Sequence, residues 1–325
     1  MQLPPALRAA LGTVLEGRGQ EALRAASGRL TERYRAEVRD GTIHLNSEAA
    51  AEAYVAARMP ATFAALRASL AQVIEALPDF APQSLLDAGA GPATALWAAR
   101  EVWPDLAGAE LWEGSAAIRS VGERLLQEAG AAPARWVNGD LGTASFRPEA
   151  TADLVTLSYV LDELHPERRA PLLHRLWENT RGVLLLVEPG TPAGFRRILE
   201  ARTVLLSVGA TIAAPCAHAL ACPLEAPDWC HFAARVERSR IHRATKGAEV
   251  PWEDEKFIHL AATRLAPQLP QARVLAPPRG GSGKVLLKLC ESDGEARERL
   301  VTKRDGAAFR EARRADWGDG LHEKI

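Results

Sequence analysis

Between residues 84 and 190, five short apolar runs alternate with segments whose apolar residues recur at three- and four-residue spacing. The runs are SLLDAGAG, LAGAELWEG, ARWVNGD, ADLVTLSYV and GVLLLVEPG. Strand-length runs separated by helix-length ones leave room for crossover helices between neighbouring parallel strands. A chain with this rhythm is confined to an α/β, doubly wound sheet, and such sheets bind ligands at the carboxyl ends of their strands. The conspicuous residues of the chain fall at those ends.

The rest of the chain is organised around this block. Residues 1–80 are expected to be a helical N-terminal region, rich in Ala, Leu, Glu and Arg, broken near Gly41 and by Pro60, with Asn46 or Ser47 as the N-cap of a helix carrying Tyr54 and Arg58. Residues 81–268 form the Rossmann-like domain, with GTPAGFRRILEARTVLLSVG as a helix and EDEKFIHLAATRL as its last strand. Residues 269–325 form a small β-rich extension of three strand-like runs followed by a short basic helix ending near Trp317. The first twenty residues lack a basic segment followed by a sustained apolar run, and no stretch reaches about eighteen uninterrupted apolar residues. A soluble, cytoplasmic protein with no membrane partner is expected, monomeric when free.

In LLDAGAGPAT, Asp87 ends the first strand, and Gly89 and Gly91 let a backbone approach a ligand closely. A dinucleotide fingerprint needs a third glycine where this chain has Thr94, so NAD is disfavoured. An S-adenosylmethionine pocket asks for less: an acid ending strand one, the Gly-x-Gly turn, and an acid ending strand two for the ribose hydroxyls. Glu113 occupies that second place, and Asp140 closes the third strand, where methyltransferases commonly bond the adenine amino group. Ser158, with Tyr159, ends the fourth strand at the same cleft, where amino-group methyltransferases carry Asp or Asn followed by two prolines. Those prolines are missing. Pro215-Cys216 is the only Pro-Cys pair that a cytosine-C5 enzyme's nucleophile would suggest, and it lies past the fifth strand beside other cysteines. Asp162, Glu163 and His165 are candidate general bases, or a capping arrangement at a helix start. The catalytic residue is unknown.

Three of the four cysteines lie in PCAHALACPLEAPDWCHF, residues 215 to 232. Cys216, Cys222, Cys230 and the distant Cys290 make one tetrathiolate set, with His218 and His231 nearby. Structural zinc usually takes paired Cys-x-x-Cys turns, whereas five and seven intervening residues suit the larger span of a cubane iron-sulfur cluster; zinc is the alternative. The formal charge of −1 excludes a uniformly basic nucleic-acid coat, yet RVERSRIHRATKG and the tail from Arg297 to Arg314 are local basic patches, suited to RNA phosphates or simply to solvent.

Taken together, YVAARMPATFAAL, LLDAGAGPAT, SYVLDEL, VEPGTPAGFRRILEAR, the cysteine segment, EDEKF and VTKRDGAAFREARRADWGD resemble the small-ribosomal-subunit methyltransferase-like family, whose mitochondrial members include assembly factors of the small ribosomal subunit. The chain is similar to a bacterial member. The resemblance implies a class I S-adenosylmethionine-dependent methyltransferase fold and S-adenosyl-L-methionine binding. It also implies a [4Fe-4S] cluster on Cys216, Cys222, Cys230 and Cys290, and association with small-subunit ribosomal RNA during ribosome assembly. Ala217 departs from the family's Cys-Pro-His, leaving the cysteine and histidine intact.

Overall fold

The computed structural model describes residues 1–35, 45, 47–141, 143 and 145–323. Gly41 and Asn46 lie outside the described residues. Four helices open the chain: α1 (Pro5–Val14), α2 (Gln20–Arg35), α3 (Glu48–Ala57) and α4 (Met59–Ala76). Ser47 is the N-cap of α3, its side chain accepting from the Ala50 backbone N–H. Pro60 falls in the first turn of α4, where a missing N–H leaves no intrahelical bond unmade. α3 and α4 are therefore two helices meeting at Arg58.

The alternating block folds as β1 (Ser84–Ala88), α5 (Thr94–Val102), β2 (Gly108–Trp112), α6 (Ala116–Glu128), β3 (Arg135–Val137), β4 (Ala152–Ser158), α7 (Pro166–Glu178), β5 (Thr180–Pro189) and α8 (Pro192–Ser207). After it come β6 (Thr211–Ala214), β7 (Phe232–Glu237), α9 (Arg240–Lys246) and β8 (Trp252–Thr263). The strands order as β3-β2-β1-β4-β5-β8-β6. β1 to β5 are mutually parallel, and their central members read as unbroken apolar runs because helices cover both faces.

The expected α/β doubly wound sheet is present, and it is mixed at one end. β8 runs antiparallel to both β5 and β6. It is the last strand of this sheet in chain order but sits inside it, with β6 at the edge. β8 is also long enough to do two jobs: Phe257 to Thr263 pair with β5, while Trp252 to Phe257 continue as a ribbon with β7. The basic stretch after the cysteines is thus strand β7 followed by helix α9.

The C-terminal part has five strands rather than three: β9 (Ala272–Val274), β10 (Arg279–Gly281), β11 (Lys284–Glu291), β12 (Ala296–Thr302) and β13 (Gly320–Leu321), with α10 (Ala307–Ala312) between the last two. All their pairings are antiparallel. One apolar core joins the N-terminal helices to the large sheet, so that Leu7, Phe63 and Leu184 belong to a single cluster. Val274, Leu287, Leu289 and Phe309 build a second core under the small sheet. A third, with Phe195, Leu224, Leu275 and Cys290, lies where α8, the cysteine segment and the small sheet meet.

Candidate functional site

A cleft of about 1810 Å³ opens at the carboxyl ends of β1, β2, β3 and β4. Its wall contains Gly89, Gly91, Glu113, Asp140 and Ser158, so five of the six residues chosen for cofactor binding share one space. The turn after β1 dictates its glycines. Gly89 has φ +73°, and a Cβ there would stand 2.5 Å from a Val160 methyl group. Gly91 also has positive φ, and the first residue of α5 is Thr94, where a dinucleotide motif would have its third glycine.

Glu113, one residue past β2, holds this turn. It accepts the backbone N–H of Gly91 at 2.8 Å and that of Ser115 at 2.7 Å. Burial pushes its carboxyl above the usual range while those N–H groups, with that of Gly114, pull it back. Asp140 lies three residues beyond the end of β3, its carbonyl accepting from the Thr143 backbone and hydroxyl. Ser158 ends β4, and its buried hydroxyl has no partner among the described residues. Asp87 is the exception. It sits inside β1, 1% exposed, beneath the cleft wall. Thr156 of β4 donates to its Oδ1 at 2.7 Å, Oδ2 has no partner among the described residues, and burial pushes the carboxyl up to about 7.

The sequence does not reveal that the other half of the cleft draws on three separate parts of the chain. Tyr54, Arg58 and Thr62 from the α3–α4 junction, Tyr159 past β4 and Glu255 of β8 line it together. Arg58 donates to both oxygens of Glu255, at 3.2 and 3.0 Å, and the Tyr159 hydroxyl donates to Oε1 at 3.2 Å. Tyr159 has φ +59°, a left-handed conformation that is strained for a residue with a Cβ. Of the candidate bases, Asp162, Glu163 and His165 all line the cleft; enclosure there, then the like charges of Asp162, Glu113 and Glu188, push the Glu163 carboxyl upward.

The cysteines form a second site. Cys216, Cys222, Cys230 and Cys290 all line one cavity of about 40 Å³ between α8, β8 and β9, otherwise walled mostly by apolar side chains. Burial pushes the Cys290 thiol up to about 12, with Cys216 and Cys222 adding to the shift and Arg202 and Arg273 opposing it. Cys230 is raised for the same first reason, then by the other three sulfurs. His218 Nε2 stands 3.3 Å from Cys290 Sγ. His231 is turned elsewhere, stacked 5.0 Å from Trp229 and edge-on to Trp317. Among the described residues, no group of three or more His, Cys, Asp or Glu side chains is gathered so as to hold a single metal ion. The four thiols surround a cavity, with volume for about three waters, rather than a point. Four thiols are the donor type that both zinc and iron-sulfur centres take.

Much of the basic charge is already spent inside the molecule. Arg235 lies 4.2 Å from the Trp252 ring and pairs with Asp254; Arg238 and Lys246 pair with Glu253; Arg297 and Arg299 pair with Glu291. Arg240 and Arg243 on α9, and Lys303, Arg304, Arg310, Arg313 and Arg314 near α10, are exposed. No described helix is long and apolar enough to cross a membrane.

A parallel β3-β2-β1-β4-β5 block, extended by an antiparallel strand inserted before the edge and carrying its cleft at the strand ends, defines the class I methyltransferase fold. Residues 48–322 match the family described as "Mitochondrial small ribosomal subunit Rsm22", and the chain belongs to it. It is 28% identical over 289 residues to the human "Ribosome assembly protein METTL17, mitochondrial", covering 82% of this chain and 61% of that protein. It is 24% identical over 320 residues to "Rsm22-cox11 tandem protein 2, mitochondrial" of Schizosaccharomyces pombe, covering 82% of this chain and 42% of that protein. The chain thus spans between two fifths and three fifths of these relatives' length. Among solved structures, an O-methyltransferase family protein from Burkholderia thailandensis aligns with TM-score 0.44 and 15% identity, over 79% of this chain and 72% of that one.

Proposed function

We propose that this chain binds S-adenosylmethionine in the strand-end cleft, carries a [4Fe-4S] cluster on Cys216, Cys222, Cys230 and Cys290, and binds small-subunit ribosomal RNA during assembly of the small ribosomal subunit. The observation that carries the reading is the convergence of the Gly89–Gly91 turn, Glu113, Asp140 and Ser158 on one cleft, in a member of a small-subunit family. The partner follows from the family description and from the relative's name as a ribosome assembly protein. The exposed arginines and lysines of α9 and of the segment around α10 supply phosphate contacts.

When bound, S-adenosylmethionine supplies an electrophilic methyl group. The chain's own residues hold it: the glycine turn gives close backbone approach, and Glu113 fixes that turn while keeping lone pairs for ribose hydroxyls. Ser158 offers a buried hydroxyl that has no partner of its own. The strand end that in amino-group methyltransferases holds the acceptor reads Ser158-Tyr159-Val160, and the Tyr159 hydroxyl is committed to Glu255. Binding of cofactor and RNA is therefore the function proposed, and methyl transfer is not required by it. Calorimetry with S-adenosylmethionine tests the cleft: saturable heat from the wild-type chain, weakened at least about tenfold by Glu113→Ala, is expected. No heat from the wild-type chain contradicts it. Methylation of small-subunit RNA that disappears in Glu113→Ala would add catalysis to the account.

A further inference from the structure

The cavity that gathers the cysteines is also lined by two arginines, Arg202 of α8 and Arg273 of β9, and by no carboxylate among the described residues. Both are almost fully buried, at 6% and 1% exposure. Arg273 donates to the Pro215 carbonyl at 2.8 Å, to Glu75 at 2.9 Å and to the Gly318 carbonyl at 3.0 Å, and its remaining terminal nitrogen has no partner among the described residues. Arg202 donates to the carbonyls of His218 at 3.1 Å and Leu220 at 2.7 Å; its Nε has no partner, and among the described residues none of its bonds goes to a carboxylate.

Placing a guanidinium in such a cavity beside neutral thiols is costly, because a buried charge needs a counter-charge. Glu75 answers Arg273 only in part, since it is itself 27% exposed. Among the described residues, Arg202 bonds only to backbone carbonyls. The cavity therefore has a surplus of positive charge and four groups that become negative on losing a proton. Four thiolates around a doubly positive core, whether a cubane or zinc, carry two negative charges in total.

Resting on the proposed tetrathiolate centre, we infer that Arg202 and Arg273 are its charge-compensating residues: the cavity is built for a dianion, and the two guanidiniums stabilise the extra negative charge that arrives when the centre is reduced. Reduction adds one electron to the cluster and breaks no ligand bond. A fixed positive charge in a dry site favours the reduced form, so removing it lowers the reduction potential.

The test uses anaerobically purified full-length chain, with dithionite as reductant, electron paramagnetic resonance as readout, and iron and sulfide assayed beforehand. The variants are Arg202→Met, which removes the charge and keeps most of the volume, and Arg202→Lys, which keeps the charge. At a fixed poise near the wild-type midpoint, the reduced-to-oxidised ratio is expected to fall about tenfold in Arg202→Met, about 59 mV for a one-electron couple, and much less in Arg202→Lys. Should Arg202→Met lose its iron while Arg202→Lys retains it, the charge is needed to hold the dianion and the inference stands. An unchanged potential in Arg202→Met, or equal losses in the Met and Lys variants, overturns it. A wild-type chain without iron and sulfide defeats the cluster reading itself, a separate result visible before any variant is compared. Zinc in the wild type, which has no reduced state to stabilise, overturns the inference about reduction.

Discussion

The backbone N–H of Gly91 donates to Glu113 Oε2 at 2.8 Å, so the end of β2 holds the glycine turn that follows β1 in shape. With Ser115 donating to the other oxygen, one carboxylate ties two strand ends together before any ligand arrives. Glu113→Ala breaks both bonds and is expected to destabilise the chain by about 1–2 kcal/mol, read as a lower urea midpoint at unchanged slope. Glu113→Gln retains one acceptor oxygen and should fall between the two. An unshifted midpoint in the alanine variant would show that the turn holds itself.

Arg58, Tyr159 and Glu255 come from three distant parts of the chain and meet in the cleft. Arg58 is 28% exposed and Glu255 12%, so the pair is sheltered without being fully dry. Glu255→Ala leaves a sheltered guanidinium without its carboxylate and should cost roughly 2–3 kcal/mol. Tyr159→Phe should cost about 1 kcal/mol. A double-mutant cycle on Arg58 and Glu255 measures the coupling directly, and additive effects would mean the two do not act together.

The sheet, its cleft and the cysteine cavity were legible because each has a local signature: apolar runs of strand length, a Gly-x-Gly turn, cysteines crowded in one segment. What was missed lacks one. β10 is Arg-Gly-Gly and β13 is Gly-Leu, strands made by their partners and not by propensity. β6 has only four residues, and β7 lies in a stretch that reads as basic in the sequence. Asp87 ends an apolar run in the sequence, and its burial, 1% exposed and outside the cleft lining, has no local signature. Arg58 and Glu255 are 197 residues apart, and no spacing rule pairs them. No spacing rule ties Arg202 or Arg273 to the cysteines.

Asp87 gives a pH signature. Its folded-state carboxyl is raised from 3.8 to about 7 by burial, so between those values the folded chain binds more protons than the unfolded one. For a raised carboxyl the sign is fixed: stability falls as pH rises through this window. Asp87→Asn keeps an acceptor for Thr156 and removes the titration. Its stability should decline less than the wild type's from about pH 4 to pH 7, by on the order of 3 kcal/mol. Parallel pH profiles by thermal or urea unfolding would contradict the assignment.

Cys290 lies on β11, and the other three cysteines precede β7, so a centre shared by all four joins the small sheet to the large one. Cys290→Ser is expected to lose the metal and to expose residues beyond about 269 to limited proteolysis. Full metal content together with wild-type protease resistance would remove this linking role.

The most direct measurement is purification without oxygen, followed by a visible absorption spectrum and assays for iron, zinc and acid-labile sulfide. Brown protein with about four irons and four sulfides per chain is the result predicted for a complete cubane on Cys216, Cys222, Cys230 and Cys290. Colourless protein with neither iron nor sulfide, whether it holds one zinc or no metal at all, would contradict it.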